Sequence, residues 1–418
     1  MTQRYDTYKD SGVQWLGEIP GHWKTLLNGI LFIEDVRKPE TDDIPLSLSQ
    51  VDGVIPTDEM KESSLKTSSY DNWKRVIVND LVLNRFKAHL GVMFASNYVG
   101  MVSFHYGVFK AKMDLVPKYY EYLYHTNIYR FIYADASKGM TVGLQNLSNT
   151  SFYNVRAIYP PKDEQSSIVS YLDDKCGKID EWVTKKQKEV EQLQELKQRV
   201  IADAVTRGLN PHVKMKATNI PWLKEIPEHW EMRKMKYLFD ERSEKNHPDE
   251  PMLSATQSEG VILQSKYQGR VVVVNTGFEG LKLVKVGDFV IHLRSFQGGI
   301  EYAHDRGIIS SAYTILNPKY SEFSAYYKRL FKSSSFIDLL KICVTGIREG
   351  QNINYSKLKQ FSIPVPPLSE QKQIVSYLDA KCAKIDKLIT NITKEIECIK
   401  EYKQRLISDV VTGQIKVC

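Results

Sequence analysis

No run of about 18 apolar residues occurs in this 418-residue chain, so no segment reads as a membrane-spanning helix. Its opening, Met1-Thr2-Gln3-Arg4-Tyr5-Asp6, is polar and lacks the apolar stretch of a secretory leader. Cysteine is scarce: Cys176, Cys343, Cys382, Cys398 and Cys418 make an odd number without a C-x-x-C pair. That pattern argues against a disulfide framework or a thiolate zinc site and for free thiols in a reducing compartment. Charge of one sign is only mildly in excess. With 57 basic and 50 acidic side chains the chain carries +7, which permits a polyanionic partner without requiring one. A soluble cytoplasmic protein without a resident metal is expected, and 42% hydrophobic residues over this length suffice for two or more cores.

Catalytic signatures are missing as well. The chain has no G-x-x-x-x-G-K-[ST] loop, no strand followed by G-x-G-x-x-G, no H-E-x-x-H and no G-x-S-x-G. Nor does it have the Asn-Pro-Pro-Tyr loop with which amino-methyltransferases grip adenine. Asp173-Asp174-Lys175 and Asp379-Ala380-Lys381 echo the D-x-K of metal-dependent nucleases, but residues two apart on a helix lie on diverging faces. They read as solvated helix charges. His22 and His229 each precede a tryptophan, a setting suited to packing or hydrogen bonding. The chain is expected not to be an enzyme by itself.

What is abundant is repetition. Residues 160–206 match residues 366–412 at 27 of 47 positions without a gap. Each copy reads as one long helix: Pro-Pro stops what precedes, Asp163 or Ser369 can serve as N-cap, and Glu164 or Glu370 suits the first turn. Leu378, Ile385, Ile392, Ile399 and Leu406 recur every seven residues, with Cys382, Leu388, Ile389, Ile396, Tyr402 and Val410 widening the stripe. Leu172, Ile179, Leu193 and Val200 hold the same register in the first copy, interrupted by Lys186. A heptad repeat of this length marks a coiled-coil seam, and the nearest similar helix is its own duplicate. The plainer alternative is two amphipathic helices on separate cores.

The duplication is wider than the helices. Trp15-Leu16-Gly17-Glu18-Ile19-Pro20-Gly21-His22-Trp23 returns as Trp222-Leu223-Lys224-Glu225-Ile226-Pro227-Glu228-His229-Trp230. Between lead-in segment and helix lie short β-rich runs, residues 75–78, 80–83 and 91–94 in one half and 270–274, 288–292 and 307–310 in the other. Helical stretches follow at 119–124 and 323–328. The class is α+β. The two globular parts have drifted apart in sequence while the helices have not, as two recognition modules for different targets would do; divergence of an unconstrained surface is the alternative.

Polar, basic and glycine-rich segments follow strands at equivalent places. In the first half these hold Arg85, Lys87 and His89, then Lys138, Gln145 and Asn146; in the second, Arg294, Ser295 and Gln297, then Arg348, Gln351 and Asn352. Arginine reads guanine and Gln or Asn reads adenine through paired hydrogen bonds, while Lys and Arg neutralise phosphate. Each segment could instead be an ordinary solvated turn.

With this ordered, duplicated set the chain resembles the specificity subunit of type I restriction-modification systems. The likeness covers essentially the whole length. It is carried by the two Trp-to-Trp lead-ins, the two Pro-Pro-x-x-Glu-Gln openings with their Ile-Val-Ser-Tyr-Leu-Asp continuation, the helix ends 199–206 and 405–412, and the segments 293–299 and 346–352. The resemblance implies two similar mixed α/β target-recognition domains, 1–160 (with the lead-in) and 211–365. Each would read one half of a bipartite double-stranded DNA target. It also implies spacer helices at 161–210 and 366–418 that bind two modification subunits. Those subunits use S-adenosylmethionine, and restriction subunits using ATP and magnesium can join them; no cofactor would belong to this chain.

Physical reasoning gives a compatible geometry. If the copies are related by a two-fold axis, the helices form an antiparallel coiled coil with a globular part at each end. A 40-residue helix is roughly 60 Å long. A coiled-coil scaffold that binds proteins without DNA is the rival from another class, and a self-contained endonuclease is a second.

Overall fold

The computed structural model describes residues 3–60, 70, 72–137, 146–269, 277–345 and 352–417. They fall into two compact units, one of residues 1–186 with 394–418 and one of residues 187–393. The long helices are Lys162–Arg207 and Leu368–Val411. Both are cut by the unit boundary, so each unit holds the start of one helix and the end of the other.

In the first unit a four-stranded antiparallel sheet has the order Phe32–Glu34, Tyr106–Ala111, Leu81–Asn84, Met93–Ala95. The strand Leu81–Asn84 reads as a continuous apolar run because both its faces are covered. Leu81 and Leu83 face a large aromatic core that includes Tyr119, Tyr120, Tyr124, Tyr129, Tyr133 and Phe152. Val82 faces a smaller cluster with Leu46, Val54, Val76 and Phe94. Several phenols of the larger core find partners: Tyr124 donates to Asn28 Oδ1 at 2.7 Å and Tyr129 to the Arg156 carbonyl at 3.1 Å. Ile168 and Leu172 from the start of the first helix share this core with Leu406, Val410 and Val411 from the end of the second. Lys403 donates to Asp180 at 2.7 Å, so the two half-helices run antiparallel.

The second unit repeats this plan. Its sheet runs Phe239–Arg242, Thr314–Pro318, Phe289–Ile291, Glu301–Tyr302. Phe289 and Ile291 face the large core, and Val290 faces the small one. Ile201, Ala204 and Val205 share the large core with Ile374, Leu378 and Cys382. The expected run 270–274 lies outside the described residues.

The repeated motifs meet in a clasp at the start of each helix. Glu164 Oε2 accepts from Trp23 Nε1 at 3.0 Å and from the Tyr5 hydroxyl at 2.9 Å, while His22 Nε2 lies 2.5 Å from Oε1. Burial alone would raise the Glu164 pKa, but hydrogen bonds from His22, Trp23 and Tyr5 outweigh it and hold the carboxyl below its usual range. Gln165 Nε2 donates to the Pro160 carbonyl at 2.8 Å. In the second unit Glu370 Oε2 accepts from Trp230 Nε1 at 2.9 Å and lies 2.7 Å from His229 Nε2, and Gln371 Nε2 donates to the Pro366 carbonyl at 2.8 Å. The end of the other helix is seated on the same clasp. Gly413, at φ +76°, lies so close to Trp23 and Pro20 that a Cβ would come within 2.5 Å of the proline ring. Tyr119 donates to the Val411 carbonyl at 2.8 Å, and Tyr326 to the Val205 carbonyl at 2.6 Å.

Two details differ from expectation. The helices begin at Lys162 and Leu368, so Asp163 and Ser369 lie inside the first turn and do not cap it; the first backbone bonds run from Gln165 to Pro161 and from Gln371 to Pro367. Leu172, Leu378, Ile385, Ile392 and Leu406 are buried and Ile179, Leu193, Val200 and Ile399 half-buried, but Leu388 and Tyr402 are 51% and 53% exposed. The second buried row falls four residues after the first, at Cys176, Val183 and Ala204 and at Cys382, Ile396 and Val410. Leu388 and Tyr402 sit only three after Ile385 and Ile399, which turns them outward.

Candidate nucleic-acid interface

In the first unit the candidate loop leaves the strand Leu81–Asn84 and closes through the 3-10 turn Ala88–Leu90. Asn84 Oδ1 accepts the amides of Phe86 and Lys87, which throws both side chains outward. Lys87 is exposed. Arg85 is not free: its guanidinium donates to Glu34 Oε1 at 2.8 Å, beside Lys74 at the same distance. Asn149 bonds to the other oxygen of Glu34. Burial pushes the Glu34 pKa up, yet Lys74, Asn149 and Arg85 outweigh this and leave it lowered. Arg85 therefore braces the loop. His89 is half-buried. Leu147 donates its amide to the Arg85 carbonyl, bringing exposed Asn146 beside the loop.

In the second unit the turn Ser295–Gly298 follows the strand Phe289–Ile291. Arg294 and Gln297 are exposed, as a base-reading pair requires. Ser295 is not. It is fully buried, and its Oγ accepts the His292 amide at 2.9 Å, so it shapes the turn from within. Gly299, at φ +87°, admits no side chain, because a Cβ would stand 2.2 Å from the Phe331 carbonyl oxygen. Asn352 is exposed in a short strand, Asn352–Ile353, paired with Val344–Thr345. Lys138, Gln145, Arg348 and Gln351 lie outside the described residues.

Neither near miss forms a nuclease site. Asp173 accepts from Tyr122 at 2.6 Å, Asp379 pairs with Arg329, and among the described residues no group of three or more His, Cys, Asp or Glu could hold a metal. Among them, too, no helix is long and apolar enough to cross a membrane. Sequence reasoning placed Glu164 and Glu370 in the first helical turn, where they lie, but missed their part in the clasp. Their signal was present, since each recurs at the same place in both copies together with a His-Trp pair.

The family described as type I restriction modification DNA specificity domain matches residues 41–192 and again residues 223–398, once in each half of the duplication. The chain belongs to this family. This specificity subunit is 27% identical over 320 residues to the putative type I restriction enzyme MjaX specificity subunit of Methanocaldococcus jannaschii, covering 73% of this chain and 70% of that one. It is 26% identical over 291 residues to the MjaVIII specificity subunit of the same organism, covering 66% and 65%. Against the EcoKI specificity subunit of Escherichia coli K12 the identity is 30% over 104 residues, 24% and 22% of the two chains. Among solved structures, a chain from work on complex assembly and conformational transition of the type I R-M system superposes with a TM-score of 0.68 at 16% identity, covering 94% of this chain and 98% of that one. The HsdS subunit from Thermoanaerobacter tengcongensis gives 0.51 at 16% identity, covering 95% and 98%. At such identities the likeness is one of fold.

Proposed function

We propose that this specificity subunit directs a type I complex to a bipartite double-stranded DNA target, each globular domain reading one half-site. The paired helices set the spacer between the half-sites and dock two modification subunits. One contrast carries this reading: the two units share strand order, clasp and helix, yet the loop after the third sheet strand presents Phe86 and Lys87 in one and Arg294 and Gln297 in the other. A common frame with unlike loops suits two readers of unlike sequence. The chain itself does no chemistry. S-adenosylmethionine would belong to the modification subunits, and ATP and magnesium to restriction subunits that join them in the cytoplasm.

The test is methylation mapping of a host that carries the chain with one heptad inserted into its first long helix. A changed spacer between unchanged half-sites is expected, and an unchanged spacer counts against the ruler. A protein-binding scaffold without DNA contact would associate with its partners independently of salt, whereas DNA binding weakens steeply as salt rises.

A further inference from the structure

The strand after each candidate loop carries one residue at an equivalent place in the two units, and the chemistry there differs. Val82 pairs with Phe94 in the first unit, and Val290 pairs with Glu301 in the second. Phe94 packs its ring 4.6 Å from that of His125, which hydrogen-bonds to the backbone of Gly91. Glu301 is fully buried and takes Lys332 Nζ on Oε1 at 2.5 Å. Lys332 also donates to the carbonyls of Gly298 at 2.9 Å and Gln257 at 3.1 Å. Phe94 and His125 thus correspond to Glu301 and Lys332, each 207 residues on.

An ammonium has three donors, and all three are engaged here. They join the hairpin turn after the strand Leu253–Thr256, the turn Ser295–Gly298 that carries Gln297, and the strand Glu301–Tyr302. Burying a carboxylate with its cation is commonly no more stable than filling the same space with apolar groups. The first unit fills it with two aromatic rings. Packing therefore does not call for a charge in the second unit, but holding two loop carbonyls at a fixed separation does. The glycines tighten the same junction: a Cβ at position 298 would come within 2.7 Å of the Gln257 side chain. Bidentate recognition of a base edge tolerates little displacement of the reading side chain, so the turn that carries Arg294 and Gln297 benefits from such a clamp.

We infer that Glu301 and Lys332 are positioning residues for base readout in the second domain, fixing the Arg294–Gln297 turn against the Gln257 turn. This rests on the reading that the second domain recognises one half-site. The test uses the full-length chain with its modification subunits, mapping methylated sites by single-molecule sequencing and melting the purified chain in parallel. E301M/K332M removes both charges at nearly constant volume, and replacements of this kind commonly keep the fold. Its expected result is a degenerate motif at one half-site, with discrimination there reduced by about tenfold or more, while the other half-site and the melting temperature hold. K332R, which keeps the cation and its donors, retains both half-sites. The inference is overturned if the double variant keeps both half-sites, or if it melts lower and relaxes both, which would leave the pair a purely structural one. A wild-type complex that methylates no bipartite motif defeats instead the functional reading underneath, and the inference with it.

Discussion

Lys197 on the first long helix donates to both carboxylate oxygens of Asp386 on the second, at 2.7 and 2.8 Å. Lys403 does the same to Asp180, at 2.7 Å to each. The four residues are two sequence-equivalent pairs, 206 positions apart, with helices and roles exchanged. Each lysine sits four residues after a seam position, Leu193 or Ile399, where an apolar residue would serve stability better. A charged group at such a position pins the register of two helices that could otherwise slip by a heptad.

The aspartates of both pairs are exposed and the lysines half-buried, so the energetic contribution of each pair is modest. A double-mutant cycle of K197D and D386K is expected to show each single reversal destabilising and the double reversal recovering most of the loss, with a coupling of about 0.5 kcal/mol. Urea denaturation measures it. Zero coupling, together with unchanged helix pairing, would deny the pair its role in register.

The tryptophan of each clasp should matter more. Trp23 and Trp230 are fully buried. Trp23→Ala or Trp230→Ala is expected to cost about 3–5 kcal/mol, while Trp23→Phe keeps most of the packing and loses about 1 kcal/mol with the bond to Glu164. Denaturant midpoints of the three variants would be compared; an alanine variant as stable as wild type would sink the clasp as a fastening.

His125 gives the first unit a pH dependence. Burial, with smaller contributions from Lys118 and Arg130, lowers its pKa from 6.5 to about 4. Between those values the unfolded chain binds a proton that the folded chain does not, so stability declines as pH falls from about 6.5 toward 4. Glu164, lowered from 4.5, adds a loss only below that value. Unfolding followed at pH 7 and pH 5 should show a shallower decline for His125→Gln than for wild type.

Arg85 and Lys87, two positions apart, are expected to respond in opposite ways. Arg85→Ala removes a partner of the half-buried Glu34 and should lower stability by about 1–3 kcal/mol. Lys87→Ala should leave stability unchanged and weaken DNA binding across all sequences, reducing the salt slope by about 1. Arg294→Ala is expected instead to relax one half-site by about 1–3 kcal/mol. Binding titrations at several salt concentrations on matched and mismatched duplexes separate these outcomes.

The long helices were legible because a heptad repeat and a Pro-Pro stop are local signals. Strand Leu81–Asn84 was legible for the same reason, as a short apolar run before a turn. The clasp was not: Glu164 and Trp23 are 141 residues apart, and their recurrence in both copies marks each of them without pairing them. Ser295 and Arg85 were read as outward-facing from their polarity alone. The direction of Ser295 is set by the His292 amide three residues away, which polarity alone does not reveal, and that of Arg85 by Glu34, 51 residues away and outside any local window. Leu388 and Tyr402 were assigned to the stripe by hydrophobicity, where a difference of one residue in spacing decides which side of a helix is dry.

The first unit draws on residues 394–418 for Leu406, Val410 and Val411 of its core, and the ribosome makes those only after the whole of the second unit. Vectorial synthesis therefore reverses the order in which the domains mature. The second unit, contiguous from 187 to 393, has all its parts at hand first, while the domain made earliest waits with an open seat. Until translation reaches that stretch, the first unit lacks three residues of its apolar core, which makes the arrival of residues 394–418 a late step in its assembly.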